Sequence, residues 1–128
     1  MNREDRIENK PIKSFTDLIV WQKGHQLVLL IYQMSKEFPK EETYCLIDQM
    51  RRAAISITSN IAEGFGRQTY KEKIQFYYLA QGSLTELKNQ ILIARDLGYI
   101  KENRELFDLC NEVHRLLQGL ISASKRRK

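Results

Sequence analysis

Apolar residues recur along the chain at intervals of three and four. No stretch alternates strictly between turn residues, so the long segments read as helices. Only Pro11 and Pro39 interrupt as prolines. Four helices follow from the pattern. The first runs from about Asp17 to Glu37, with Thr16 as N-cap, Phe38-Pro39 as stop and a stripe of Leu18, Trp21, Val28, Ile31 and Tyr32. The second runs from about Tyr44 to Glu63, with Leu46, Met50, Ala53, Ile57 and Ile61 on one face. Gly64 is expected to end it in the left-handed C′ conformation. Thr69-Tyr70-Lys71-Glu72 has the form of a capping box opening a third helix. That helix carries Ile74, Tyr77, Leu84, Leu87 and Ile91 inward and closes at Gly98. The fourth presents Leu106, Leu109, Val113, Leu116, Leu117 and Leu120. Its start is open between Lys101, which cannot cap, and Asn103, which can. Short connections force sequential helices to lie antiparallel, so the fold class is all-α, an up-down-up-down four-helix bundle.

A second apolar population does not fit a lone bundle. Leu27 to Tyr32 goes almost fully round the first helix, and Ile47, Ile55, Phe65, Phe76, Leu79, Phe107 and Ile121 sit off the primary stripes. Small residues, Gly24, Ala53-Ala54, Ala62, Gly82-Ser83 and Gly119, stand where helices could approach closely. A helix interior glycine costs about 1 kcal/mol relative to alanine, so a contact should require it. Homo-oligomerisation accounts for both features.

Composition adds limits. With 42% hydrophobic and 29% charged residues over 128 positions, the chain reads as one soluble domain. Boundaries are expected at a polar leader (1–13), the bundle (14–124) and a basic tail (125–128). The longest apolar run, Leu27 to Tyr32, is far short of the ~20 residues that cross a bilayer. The first residues lack the apolar core of a signal peptide, so a cytoplasmic protein is expected. Cys45 and Cys110 have no CxxC spacing and read as small buried hydrophobes. The net charge is +5, and the second half of the chain carries all of it. Lys125, Arg126, Arg127 and Lys128 supply +4, which by itself reads as a solubilising end.

Searching for enzymatic chemistry returns little. Gly64-Phe65-Gly66-Arg67 follows a helix and lacks the third glycine of a dinucleotide loop. No phosphate-binding loop or HExxH motif occurs. Gln22 precedes His25 by three residues, and Asn111 precedes His114 by three. Neither histidine therefore has the Glu-x-x-His spacing of a di-iron bundle. No catalytic residue, metal or cofactor is assigned. Basic residues on the body are Arg51, Arg52, Arg67, Lys71, Lys73, Lys88 and Arg95. Asp48 stands three and four residues before the arginine pair and Glu63 four before Arg67, the spacing of intrahelical ion pairs. Repeated around an oligomer, even a few arginines per subunit would make a positive band for phosphates.

The second helix carries a recognisable pattern: Gln49-x-Arg51-Arg52-Ala53-Ala54-x-Ser56-Ile57-x-Ser59-Asn60-Ile61-Ala62-Glu63-Gly64-x-Gly66-Arg67. It resembles the signature of the bacterial four-helix-bundle family encoded in 23S rRNA intervening sequences, also labelled S23 ribosomal protein. Flanking segments agree: Phe15-x-x-Leu18-x-Val20-Trp21-Gln22-Lys23-x-His25 before it, and Ala80-x-Gly82-Ser83-Leu84-x-Glu86-Leu87 after it. The resemblance spans roughly Ser14 to Ile100. It implies a homopentamer without known catalytic activity, akin to the accessory proteins of diversity-generating retroelements, which serve a reverse transcriptase and its RNA. This chain departs from the family pattern at three positions: Gly24 where alanine is common, Cys45 where glycine is common, and Thr58 where proline is common. Losing that proline restores a backbone donor, so any kink in the second helix should be weaker here.

Together these features predict a non-enzymatic oligomer that contacts RNA or DNA through Arg51, Arg52, Arg67, Lys71 and Lys125–Lys128. The alternative is a scaffold for a protein partner such as a polymerase. Trp21, Asn60, Glu63, Gly64, Gly66 and Gly82 read as structural motif positions. Asn60 and Glu63 are expected as buried polar contacts on the second helix, with a binding role as the other reading.

Overall fold

The computed structural model describes residues 11–127, which form four α-helices and contain no strand. These are α1 (Ile19–Ser35), α2 (Asp48–Phe65), α3 (Tyr70–Asp96) and α4 (Arg104–Arg126). Each helix packs on its sequence neighbour, and α4 closes the square against α1. Ile12, Phe65, Tyr70 and Arg127 consequently meet at one end of the bundle. Phe38 and Tyr99 meet at the other, with ring centroids 5.4 Å apart.

Caps on the helices follow local chemistry. Ser14, rather than Thr16, opens the first segment: its hydroxyl accepts from Thr16 N–H while Asp17 accepts from Ser14 N–H at 3.0 Å. The turn it caps is a 3-10 helix over Phe15–Asp17, and α1 follows from Leu18 without a side-chain cap. On α3, Thr69 accepts from Glu72 N–H at 3.2 Å and donates to the Glu72 carboxylate at 2.8 Å. Asn103 is the cap of α4, accepting from Leu106 N–H at 3.1 Å. At the end of α3, Gly98 adopts φ +81, with Gly98 N–H on Arg95 C=O and Tyr99 N–H on Ala94 C=O. That is the Schellman closure, satisfying carbonyls a helix end leaves free.

Gly64 does something else. The helix runs through it to Phe65, and Gly66 follows with an ordinary φ of −78. A Cβ on Gly64 would lie 2.6 Å from Tyr77 Cε1, so this glycine is needed for the close approach of α2 and α3. Gly24 has a similar but looser role, its virtual Cβ 3.1 Å from the Thr58 methyl on α2. Gly82 meets nothing within 4 Å and lies on the exposed side of α3.

The core is built from Met50, Ile57, Ile61, Leu84, Leu87, Ile91, Leu116 and Leu117, all essentially without solvent contact. Burying each such side chain contributes roughly 1.5–3 kcal/mol. On α1 the buried face is Val20, Gly24, Leu27, Ile31 and Ser35, so that of the expected stripe only Leu18, just before the helix, and Ile31 are buried. Trp21 and Val28 are half-buried and Tyr32 is exposed. The reason is that α1 is apolar nearly all round, so the small residues Gly24 and Ser35 select the face toward α2. Of the second apolar population, Ile47 and Ile121 belong to the core. Phe65, Phe76 and Phe107 are half-buried, while Leu29, Ile55 and Leu79 are exposed. Between α1 and α2 a 3-10 turn (Lys40–Glu42) leads into a π-helical turn (Thr43–Ile47). Cys45 is exposed there, contrary to expectation, because the turn carries it outward, whereas Cys110 is buried in α4.

Ile12 packs against the core and Lys13 N–H donates to Asp17 at 2.9 Å, so the leader's last residues join the folded body. Lys125 and Arg126 continue α4 as helix. Residues 1–10 and Lys128 lie outside the described residues.

Candidate nucleic-acid interface

The basic residues singled out from the sequence form two groups rather than one surface. Arg51 and Arg52 lie near the start of α2, and Arg67 follows its end. Sixteen residues at 1.5 Å rise put them about 24 Å apart along the bundle. Lys71 at the start of α3 and Lys125, Arg126 and Arg127 at the end of α4 share the end where Arg67 sits, because antiparallel packing brings those termini together.

Arg51 is half-buried and turned to the bundle. Its Nε donates to Ser35 Oγ at 2.9 Å and its Nη2 to the Tyr32 carbonyl at 3.4 Å, with the guanidinium 4.4 Å from the Tyr32 ring centroid. It ties α2 to α1. Asp48 pairs with Arg52 alone, at 2.9 Å, since the i,i+4 reach is taken and Arg51 faces Ser35. Exposed and paired, Arg52 keeps donors for a further ligand.

The other end is richer. Arg67 pairs with Glu63 at 3.2 Å and lies 4.5 Å over the Phe76 ring. Lys73 donates to the Phe65 carbonyl at 2.6 Å, neutralising the negative end of α2, and lies 5.4 Å from the Phe65 ring. Arg127 donates to the Tyr70 hydroxyl at 3.2 Å and Lys125 stands 5.3 Å from the Tyr78 ring. Lys71 and Arg126 are exposed. A hollow of about 330 Å³ opens beside Lys73 and Arg127, the two basic residues that line it, with Leu18, Tyr77, Leu120 and Ala123 also in its lining. Lys73 and the aromatic partners Tyr70, Phe76 and Tyr78 were not among the residues assigned from sequence. Their signal was the interleaving of basic and aromatic residues from Tyr70 to Tyr78, which a search for ion-pair spacing passes over.

The structural motif positions fall in varied surroundings. Asn60 is half-buried and donates to Ser56 C=O at 2.8 Å and Ser56 Oγ at 3.1 Å; Ser56 Oγ meets Ser83 Oγ of α3 at 2.7 Å. Glu63 is exposed, not buried, because Arg67 draws it along the outside of α2. Trp21 is half-buried, edge-on to Phe15 at 5.4 Å and stacked on His25 at 4.8 Å.

Titratable side chains elsewhere offer little reactivity. Burial pushes the Cys110 thiol up to about 11, against a smaller opposing pull from Lys88, so it stays protonated at neutral pH. His114 beside it is shifted down, first by burial and then by Lys88, which favours neutral imidazole. Among the described residues no three His, Cys, Asp or Glu side chains gather as a metal would require, and no helix is long and apolar enough to cross a membrane.

Comparison with known families then bears on the four-helix pattern and its α2 signature. A family model described as 23S rRNA-intervening sequence protein matches residues 16–119. The chain belongs to that family. The family is one of small helical proteins and is not a known enzyme family. Within this 23S rRNA-intervening sequence protein, Arg51, Arg52, Arg67, Lys71 and the hollow's aromatic walls Phe65 and Tyr70 lie inside the matched span, whereas Lys125–Arg127 lie beyond it. No curated protein matches the chain.

Proposed function

We propose that this 23S rRNA-intervening sequence protein is a non-enzymatic homo-oligomer, a pentamer by its family resemblance, that binds RNA through the basic end of each subunit. The supporting observation is the convergence of Arg67, Lys71 and Lys73, around the α2–α3 junction, with Lys125, Arg126 and Arg127, from the distant end of α4, on one end of the bundle. Arg67 pairs with Glu63 at 3.2 Å, and that pair is exposed. Phosphate affinity grows with the number of such cations, and an oligomer multiplies them. Assembly is supported by Leu79 at 57% exposure beside Gly82, whose surroundings are open, on the outward side of α3. An apolar side chain next to a bare backbone suits a close neighbour.

Charge reversal tests the reading. Arg67→Glu, Lys71→Glu and Lys125→Glu combined should weaken binding of a short labelled RNA at least tenfold and flatten its salt dependence, with the assembled mass unchanged. Arg52→Glu should have little effect. Equal loss from both sets, or no salt-dependent binding by the unmodified protein, overturns the reading.

A second reading rests on the opposite end. Tyr44 is 92% exposed and lies with Tyr32, Ile55 and Arg52 around a shallow groove between α1 and α2. Tyrosine and arginine are enriched at protein interfaces, so a polymerase-type protein partner would dock there. Under that reading Tyr44→Ala releases the partner while RNA binding by the basic end persists.

A further inference from the structure

Five cation–ring contacts crowd the basic end: Arg67 on Phe76, Lys73 on Phe65 and Tyr70, Lys125 on Tyr78, and Arg127 on Tyr70. Cations alone would suffice for a phosphate backbone of any kind. Rings add something that only an unpaired base can use, because in a duplex the base faces are covered by stacking and only edges show in the grooves. Phe65 and Tyr70 are half-buried walls of the hollow, whose volume of about 330 Å³ admits a single splayed base with its sugar. Its lining combines the apolar Leu18, Leu120 and Ala123 with Tyr70, Lys73, Ser124 and Arg127. That arrangement places a base between apolar surfaces and its phosphate among cations. Glu63 is held by Arg67, and Glu72 accepts from Thr69, both exposed.

We propose that the basic end selects single-stranded over double-stranded nucleic acid, taking one splayed base between Phe65 and Tyr70 while Lys73 and Arg127 hold the adjoining phosphate. The inference rests on the nucleic-acid reading above and adds the class of strand. Stacking a base on an aromatic side chain is worth about 5- to 150-fold in affinity.

Fluorescence anisotropy with a labelled oligouridine and a labelled RNA duplex of equal length tests it, using the full chain. The unmodified protein should bind oligouridine at least about fivefold more tightly, and the charge-preserving variants Phe65→Leu and Tyr70→Leu should remove that preference while leaving duplex affinity unchanged. Equal, salt-sensitive binding of both RNAs, or a preference untouched by both variants, overturns this inference and leaves the nucleic-acid reading standing. Binding of neither RNA overturns both. Should the variants fail to fold, 4-thiouridine cross-linking of the unmodified protein decides. Cross-links on Phe65, Tyr70 or Tyr77 support the site, and cross-links confined to residues of α1 or around Arg51 overturn it.

Discussion

Gly24 and Thr58 are far apart in sequence, yet they face each other across the α1–α2 contact. A Cβ at Gly24 would stand 3.1 Å from the Thr58 methyl, and the Thr58 hydroxyl is engaged with the Ile55 carbonyl at 3.0 Å, so the methyl cannot swing away freely. The bare Gly24 thus accommodates the Thr58 methyl. Gly24→Ala should gain little stability alone, whereas in a Thr58→Ser background, which removes the methyl, it should gain about 1 kcal/mol from helix propensity. A double-mutant cycle by urea denaturation should show that coupling, and additive effects would refute it. The cysteines separate equally well. In native protein at pH 8, one thiol per chain, Cys45, should react with a thiol reagent, and Cys110 should react only after unfolding. Because the folded-state pKa of Cys110 is raised from 9.0 to about 11, the unfolded chain gives up its proton first as pH rises. Stability is therefore unaffected below pH 9 and falls by about 2 kcal/mol toward pH 11. Tyr99, raised mainly by its hydrogen bond to Glu42, acts in the same direction above pH 10. Urea midpoints across that range should drop less in Cys110→Ala.

At the level of elements, the tightest junction is α2 against α3. Gly64→Ala places a methyl against the Tyr77 ring and should destabilise the fold by about 1–3 kcal/mol, despite the better helix propensity of alanine. Thermal denaturation reads this directly, and an unchanged or raised midpoint would refute it. Gly64 also marks a limit of reading glycine from sequence. The residue spacing suggests a helix end, but a small residue demanded by a neighbouring helix looks the same as one demanded by a positive φ. Gly98 illustrates the other outcome, since its φ of +81 and the carbonyls behind it match the sequence reading. Helices α2 and α3 were legible because polar residues flank their apolar stripes. The face of α1 was not, because Leu27 to Tyr32 offers several apolar stripes and only packing against α2 selects one. Cap identity at Ser14 was missed for a similar reason: Ser14 and Thr16 are both competent, and the Asp17 carboxylate decides between them.

Across the whole molecule, the sequence places the cations but not their company. Arg51 and Arg67 look equivalent in the α2 signature, yet one is turned inward to Ser35 and the other stands over Phe76 at the opposite end. Only the antiparallel arrangement reveals that Arg67 and Lys71 share their end with Lys125 and Arg127, from more than fifty residues away. Repeated in an assembly, these ends are proposed to bind nucleic acid. Absolute mass by light scattering behind a sizing column, at low and high salt and with a short single-stranded RNA, tests it most directly. A single species near five times the 15.1 kDa protomer, gaining mass with RNA at low salt and losing it at high salt, is the predicted result. A 15.1 kDa monomer that leaves the RNA unbound at low salt would contradict it.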